Sequence, residues 1–119
     1  MNTILVVDDE PLSIKYFSLF LKDAFNVYCA NNYDEALKIL EDIQTIDCII
    51  SDFLLKDSPN GIQLLRECKE RYPEIKRVMI TGLYDEFIMD AEKKGIIEAM
   101  YEKPIEFEEL IPSLKALIN

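Results

Sequence analysis

Five times along this chain a short apolar run is followed by a longer amphipathic segment, with few residues between them. No other feature constrains the fold as strongly. Strands joined through helices must lie parallel, and such crossovers are right-handed, so the helices cover both faces of one sheet. Thr3 to Val7 (TILVV) reads as a buried strand. Pro11 to Ala24 reads as a helix, with Pro11 suited to its first turn and Ile14, Phe17, Phe20 and Leu21 on one face. Asn26 to Ala30 is a second, weaker strand. Asn32 and Glu35 have capping-box spacing at the start of a helix with Ala36, Leu37, Ile39 and Leu40 as its apolar face. Asp47 to Ser51 (DCIIS) is the third strand, followed by a polar loop, Lys56 to Gly61. The next helix carries Ile62, Leu64, Leu65 and Cys68. Arg77 to Ile80 is strand four, and Leu83 to Lys94 is helix four, stopped by Gly95. Ile97 to Glu102 is strand five, and Glu106 to Ile118 is helix five.

One domain accommodates all 119 residues, half of them apolar, and no repeat or linker divides them. The 13 Lys and Arg against 23 Asp and Glu leave a net charge of −10. Such a surface repels nucleic acid and anionic membranes, so neither is expected as a direct partner. The chain has no histidine, and its three cysteines form no CxxC pair. Zinc centres and Ser-His or Cys-His nucleophiles are therefore excluded from the expectation. Scattered thiols, no signal peptide and no apolar run of membrane-spanning length point to the cytoplasm.

Ligands of parallel sheets bind beyond the carboxyl ends of the strands. Asp8-Asp9 follows strand one, Asp52 follows strand three, Thr81-Gly82 follows strand four, and Lys103-Pro104 follows strand five. Taken singly, each has a plainer role as a cap, a turn residue or a surface charge. Together they place three carboxylates, a hydroxyl and an ammonium at one edge. Clustered carboxylates repel one another, and a hard divalent cation relieves that repulsion through oxygen ligands. A phosphoryl group could then be held by the cation, the ammonium and the hydroxyl, with one carboxylate as nucleophile.

At "ILVVDDEP", "CIISDFLL", "VMITG" and "YEKP" the sequence resembles the response-regulator receiver domains of two-component signalling. The resemblance extends over residues 1–119 and implies an α/β, doubly wound, five-stranded parallel sheet in the flavodoxin-like order 2-1-3-4-5. It implies Asp52 as phosphoacceptor from a sensor histidine kinase or histidine phosphotransfer protein. It implies Mg²⁺ (Mn²⁺ as an alternative) held by Asp8, Asp9, Asp52 and the Leu54 backbone carbonyl. Lys103 would pair with the phosphoryl group and the Thr81 hydroxyl would turn towards it. Pro104 would follow a cis peptide bond. Output would pass through helix four, strand five and helix five to a downstream protein or domain, or to a phosphorylation-dependent homodimer.

The sequence departs from the family in four places. Met100 stands where an aromatic conformational reporter is usual; either Met100 takes that role or a one-residue irregularity brings Tyr101 in. The loop after Asp52 looks one residue longer than usual, with Lys56 in place of a proline and Pro59 displaced. Pro112 lies inside helix five, where proline costs about 3 kcal/mol, so the helix either starts late or bends. Leu54 and Leu83, two residues after Asp52 and Thr81, cannot orient a hydrolytic water, which suggests slow self-dephosphorylation.

Four other readings compete. The chain could be the receiver module of a longer transcriptional regulator rather than a freestanding one. A small aspartyl-phosphate phosphatase would need a second acid where Leu54 stands. A flavodoxin-like carrier would need a phosphate loop where Asp8-Asp9-Glu10 stands. A phosphorylation-independent module would be expected to have lost some of these polar groups. The chain is accordingly expected to be a phosphoacceptor and not an enzyme.

Overall fold

The computed structural model describes residues 1–55 and 60–119. The extra residue expected in the loop, with Lys56 and Pro59, falls outside them. The elements run β1 (Thr3–Val7), α1 (Pro11–Leu21), β2 (Asn26–Ala30), α2 (Tyr33–Asp42), β3 (Cys48–Asp52), α3 (Gly61–Arg71), β4 (Lys76–Thr81), α4 (Glu86–Lys93), β5 (Ala99–Glu102) and α5 (Phe107–Ile118). The five strands are parallel in the order β2-β1-β3-β4-β5, the doubly wound flavodoxin-like arrangement expected.

Strand alternation divides the interior into two cores. Leu5 and Val7 of β1 point into one, with Ala36 and Leu40 of α2, Leu64 and Leu65 of α3, and Ile88 and Ala91 of α4. Ile4 and Val6 point into the other, with Phe17 and Leu21 of α1 and Leu110 and Leu114 of α5. Every residue of β1 and β3 is therefore buried, which explains their unbroken apolar runs. Edge strand β2 is half exposed and its run is correspondingly weaker.

Element ends moved where side chains compete for backbone hydrogen bonds. Helix α4 begins at Glu86 rather than Leu83, because the Asp85 carboxylate accepts the Ile88 N–H at 3.1 Å and caps the helix there. Asn32 caps α2 through Glu35 N–H at 2.8 Å, and Asn60 caps α3 through Gln63 N–H at 3.1 Å. Helix α1 ends at Leu21 rather than Ala24, as the chain turns and Phe25 N–H bonds Leu21 O at 2.9 Å. Strand β5 begins at Ala99 rather than Ile97; Ile96 and Ile97 are buried but bond back to Ala91 O. Strand β3 extends one residue further than expected and includes Asp52, and β4 likewise includes Thr81. Helix α5 begins at Phe107, so Pro112 is not in its first turn; the helix continues through Pro112 to Ile118. Pro112 is on the exposed side, where water can take the Glu108 carbonyl that loses its intrahelical donor.

At the amino ends of the strands the Arg77 guanidinium is buried, which its place in a strand did not reveal. It donates to Ile75 O at 2.8 Å and Ile96 O at 3.1 Å and pairs with Glu98 at 3.0 Å. Those bonds satisfy its charge and tie the loops before β4 and β5 together.

The carboxyl ends are held by close backbone contact. Gly61 N–H donates to Phe53 O at 3.1 Å, and a Cβ on Gly61 would lie 2.1 Å from the Asp52 carbonyl oxygen. Space, not an unusual dihedral, requires glycine here. Gly61→Ala is expected to lower stability by about 1–3 kcal/mol or more, since backbone cannot yield as a side chain can. Gly82, with nothing within 4 Å of its added Cβ, is the control. Gly82→Ala should stay within about 0.5 kcal/mol of the parent. Urea midpoints at constant m-value check both.

Candidate functional site

Val7, the last residue of β1, leaves Asp8 at the sheet edge, where its N–H continues the ladder to Ala30 O at 3.1 Å. The Asp8 carboxylate accepts the Glu10 N–H at 2.9 Å and is only 2% exposed. Asp52 closes β3 beside Ile80 of β4 and is also buried. Its backbone is clamped from two directions. The Ser51 hydroxyl donates to its carbonyl at 3.0 Å, and Gly61 packs against the same oxygen. Thr81 closes β4, and its carbonyl accepts the Lys103 N–H at 3.0 Å.

Four of the groups expected at the site converge. Carboxylate oxygens of Asp8, Asp9 and Asp52 lie within 4.8 Å of one another. The Lys103 ammonium donates to Asp52 Oδ2 at 2.9 Å and stands 3.8 Å from Asp8 Oδ2. Thr81 is buried at the end of the adjoining strand, and its hydroxyl accepts the Leu83 N–H at 3.0 Å. That bond leaves the hydroxyl proton free to be donated elsewhere.

The electrostatics are those of an under-compensated acidic pocket. Burial, opposed by the Glu10 N–H and reinforced by the Asp52 charge, pushes the Asp8 carboxyl above its ordinary range. Burial works against the Lys103 ammonium. The hydrogen bond and charge of Asp52, followed by the charges of Asp8 and Asp9, outweigh that effect and raise its pKa. Among the described residues, the Lys103 ammonium faces the Asp8 and Asp52 carboxylates, and the donor set is all oxygen. A hard divalent cation fits such a set better than a soft one.

The remaining expected residues lie around this centre. Leu54 is in the segment leaving β3 with its side chain 58% exposed, and Leu83 is 55% exposed. Met100 and Tyr101 pair regularly with Met79 and Ile80, so the one-residue irregularity does not occur. Met100 packs on the α2-α3-α4 side. Tyr101 packs on the opposite side, where its hydroxyl hydrogen-bonds the Ser113 hydroxyl of α5. The Lys103–Pro104 peptide is cis, as the resemblance implied.

Two contributors escaped the sequence reading. Gly61 supports the Asp52 backbone, and Asn60 caps the helix that brings Gly61 there; an Asn-Gly pair opening a helix was the available signal. Leu83 was noted for its side chain, whereas its backbone N–H makes the contact with Thr81. Volume does not mark this site. A cleft of about 750 Å³ lies at the other end of the sheet, lined by Leu40, Ile43, Asp47, Tyr72 and Ile75 among others.

The sequence matches the response regulator receiver domain family over residues 4–115. It is 31% identical to the hydrogenase transcriptional regulatory protein HoxA of Cupriavidus necator, over 98% of this chain and 24% of that protein. It is 34% identical to a putative response regulator, NtrX-like, of Rickettsia bellii, over 94% of this chain and 24% of that one. The chain thus spans about a quarter of the length of these relatives. A receiver domain structure from Clostridium thermocellum superposes with a TM-score of 0.89 at 26% identity, covering 100% of this chain and 95% of the other. The strand order, the acidic edge and this family match agree: the chain belongs to the receiver domains of two-component response regulators.

Proposed function

We propose that Asp52 accepts a phosphoryl group from a phosphohistidine of a sensor histidine kinase or histidine phosphotransfer protein. The observation that carries this reading is the convergence of Asp8, Asp9 and Asp52 with the Lys103 ammonium 2.9 Å from Asp52 Oδ2. An Asp52 oxygen attacks phosphorus, the P–N bond breaks, and the imidazole nitrogen leaves with the electron pair. Lys103 exchanges its bond to the Asp52 carboxylate for one to the phosphoryl oxygens. Thr81 donates its free hydroxyl proton to another. Asp8, Asp9, Asp52 and the Leu54 carbonyl would hold Mg²⁺ or Mn²⁺, which neutralises charge on the phosphoryl oxygens when bound. The domain is a cytoplasmic phosphoacceptor and not a turnover enzyme; no described helix is long and apolar enough to cross a membrane.

The switch runs from Thr81 into the β4–α4 connection and on to the face formed by α4, β5 and α5. Met100, packed on the core cluster that α4 also enters, would take the switch role of the usual aromatic residue. The length of the relatives favours a second reading of the context: this is the receiver module of a longer transcriptional regulator, whose remaining part receives the signal.

Three outcomes test this reading. A small phosphodonor with Mg²⁺ should add one phosphoryl mass to Asp52 and none to Asp52→Asn; an adduct persisting in Asp52→Asn overturns the assignment. The phosphorylated form should last minutes or longer, because Leu54 and Leu83 offer no group to orient water; a lifetime of seconds contradicts this. The third concerns charge. The Asp8 carboxyl is raised from its ordinary 3.8, so the folded state binds that proton more tightly than the unfolded chain. Its stabilising effect is complete below the unfolded value and is lost as pH rises through the folded one. Asp8→Asn should therefore raise the melting temperature of the metal-free protein at pH 7, by about 3–6 °C for ~1 kcal/mol, and weaken its pH dependence. Mg²⁺ should stabilise the parent, by about 2.7 kcal/mol at a hundredfold excess over Kd, and stabilise Asp8→Asn far less.

A further inference from the structure

Two peptide groups join Asp52 to Leu54, and hydrogen bonds hold both of them. The Asp52 carbonyl accepts the Ser51 hydroxyl at 3.0 Å. The Phe53 N–H donates to Ile80 O of β4 at 3.0 Å, and the Phe53 carbonyl accepts the Gly61 N–H at 3.1 Å. The last two bonds are made by backbone alone. The first comes from a side chain, and from the position immediately before the proposed nucleophile. Ser51 is 0% exposed in a strand whose preceding residues are Cys48, Ile49 and Ile50. A hydroxyl in that setting must be bonded to offset its loss of water, and an apolar residue would fill the position without that demand. The hydroxyl also belongs to the contact that seats α3 on β3. A Cβ on Gly61 would lie 3.0 Å from Ser51 Oγ and 2.1 Å from the Asp52 carbonyl oxygen, so hydroxyl, carbonyl and the first residue of α3 pack as one unit.

We propose that Ser51 is a positioning residue for the divalent cation of the acidic site: by holding the Asp52 carbonyl, its hydroxyl fixes the stretch of chain that presents the Leu54 carbonyl to the cation. This rests on the cation-dependent phosphoryl transfer proposed above. Mg²⁺ tolerates little departure from octahedral geometry, so a loosened ligand is felt first as lost affinity. Groups that orient a metal ligand from behind act in this way, without touching the metal. The Asp52 carboxylate does not depend on the same bond. It is placed by the pairing of β3 with β4 and by Lys103 at 2.9 Å. Loss of the Ser51 hydroxyl therefore weakens the hold on the cation and leaves the nucleophile where it is.

Calorimetric titration of the metal-free protein with Mg²⁺ alone reads the affinity with no phosphodonor present. Ser51→Ala should raise Kd by about tenfold. Ser51→Cys, with a weaker donor in the same place, should raise it by less. Ser18→Ala on α1, which removes a hydroxyl facing Cys29 at 3.1 Å, should leave it unchanged. A merely structural role would lower the urea midpoint and leave the Kd of the folded protein as it is in the parent. The phosphodonor reaction supplies a second readout. Ser51→Ala should react more slowly than the parent at Mg²⁺ near the parent's Kd, and equally fast at saturating Mg²⁺. If Ser51→Ala does not fold, Ser51→Cys carries the test. An unchanged Kd in the variant that folds overturns the proposal. So does a slow reaction that saturating Mg²⁺ fails to restore, or an equal loss of affinity in Ser18→Ala. Mass spectrometry of the Asp52 adduct at saturating Mg²⁺ separates two failures. An unchanged Kd with a normal adduct removes the role of Ser51 alone, whereas no adduct in the parent removes the receiver function itself.

Discussion

Backbone hydrogen bonding in the sheet forces like charges together. Asp8 follows β1 and Asp52 closes β3, adjacent parallel strands whose register pairs Val7 with Ser51. That register is set by burial of Ile4 to Val7 and Cys48 to Ile50 on both sheet faces, and it brings the carboxylates to one edge whatever their repulsion. Lys103 reaches back from β5 to offset part of the cost. Gly61 closes the other side by placing backbone against backbone where no side chain fits. The pocket is thus a concentration of like charge carried by a well-packed scaffold, and neutralising that charge would relieve it.

The same arrangement supplies a route outwards. Thr81 is the last residue of a buried strand, while Gly82, Leu83 and Tyr84 are exposed, so the chain passes from the pocket to the surface within one residue. The Thr81 hydroxyl holds the Leu83 N–H, and the Tyr84 hydroxyl holds Glu92 on α4. These two bonds link the Thr81 hydroxyl to the connection before α4 and that connection to the helix itself. Met100 packs against the core cluster that Ile88 and Ala91 of α4 also enter, where an aromatic ring is the usual residue. Tyr101, anchored to Ser113, instead braces α5 on the other side of the sheet.

Most of the large exposed apolar side chains fall into two separate regions. The exposed apolar residues of α1 and those of α4 sit on opposite sides of the sheet, because α1 and α5 cover one face and α2, α3 and α4 the other.

The sequence by itself determined the strand-helix alternation, the two-sided burial of β1 and β3, and the groups standing at their carboxyl ends. These follow from local periodicity and from topology, since a parallel sheet has one ligand-binding edge. Element ends were less legible. Asp85 capped α4 three residues later than the apolar pattern suggested, and Pro112 was absorbed into α5 because its missing donor faces water. Only the tertiary structure decided which carboxylate Lys103 contacts, that Gly61 must be bare, that Arg77 is buried, and that Tyr101 faces away from Met100. Each depends on a distance between residues remote in the chain, and no local pattern encodes that distance.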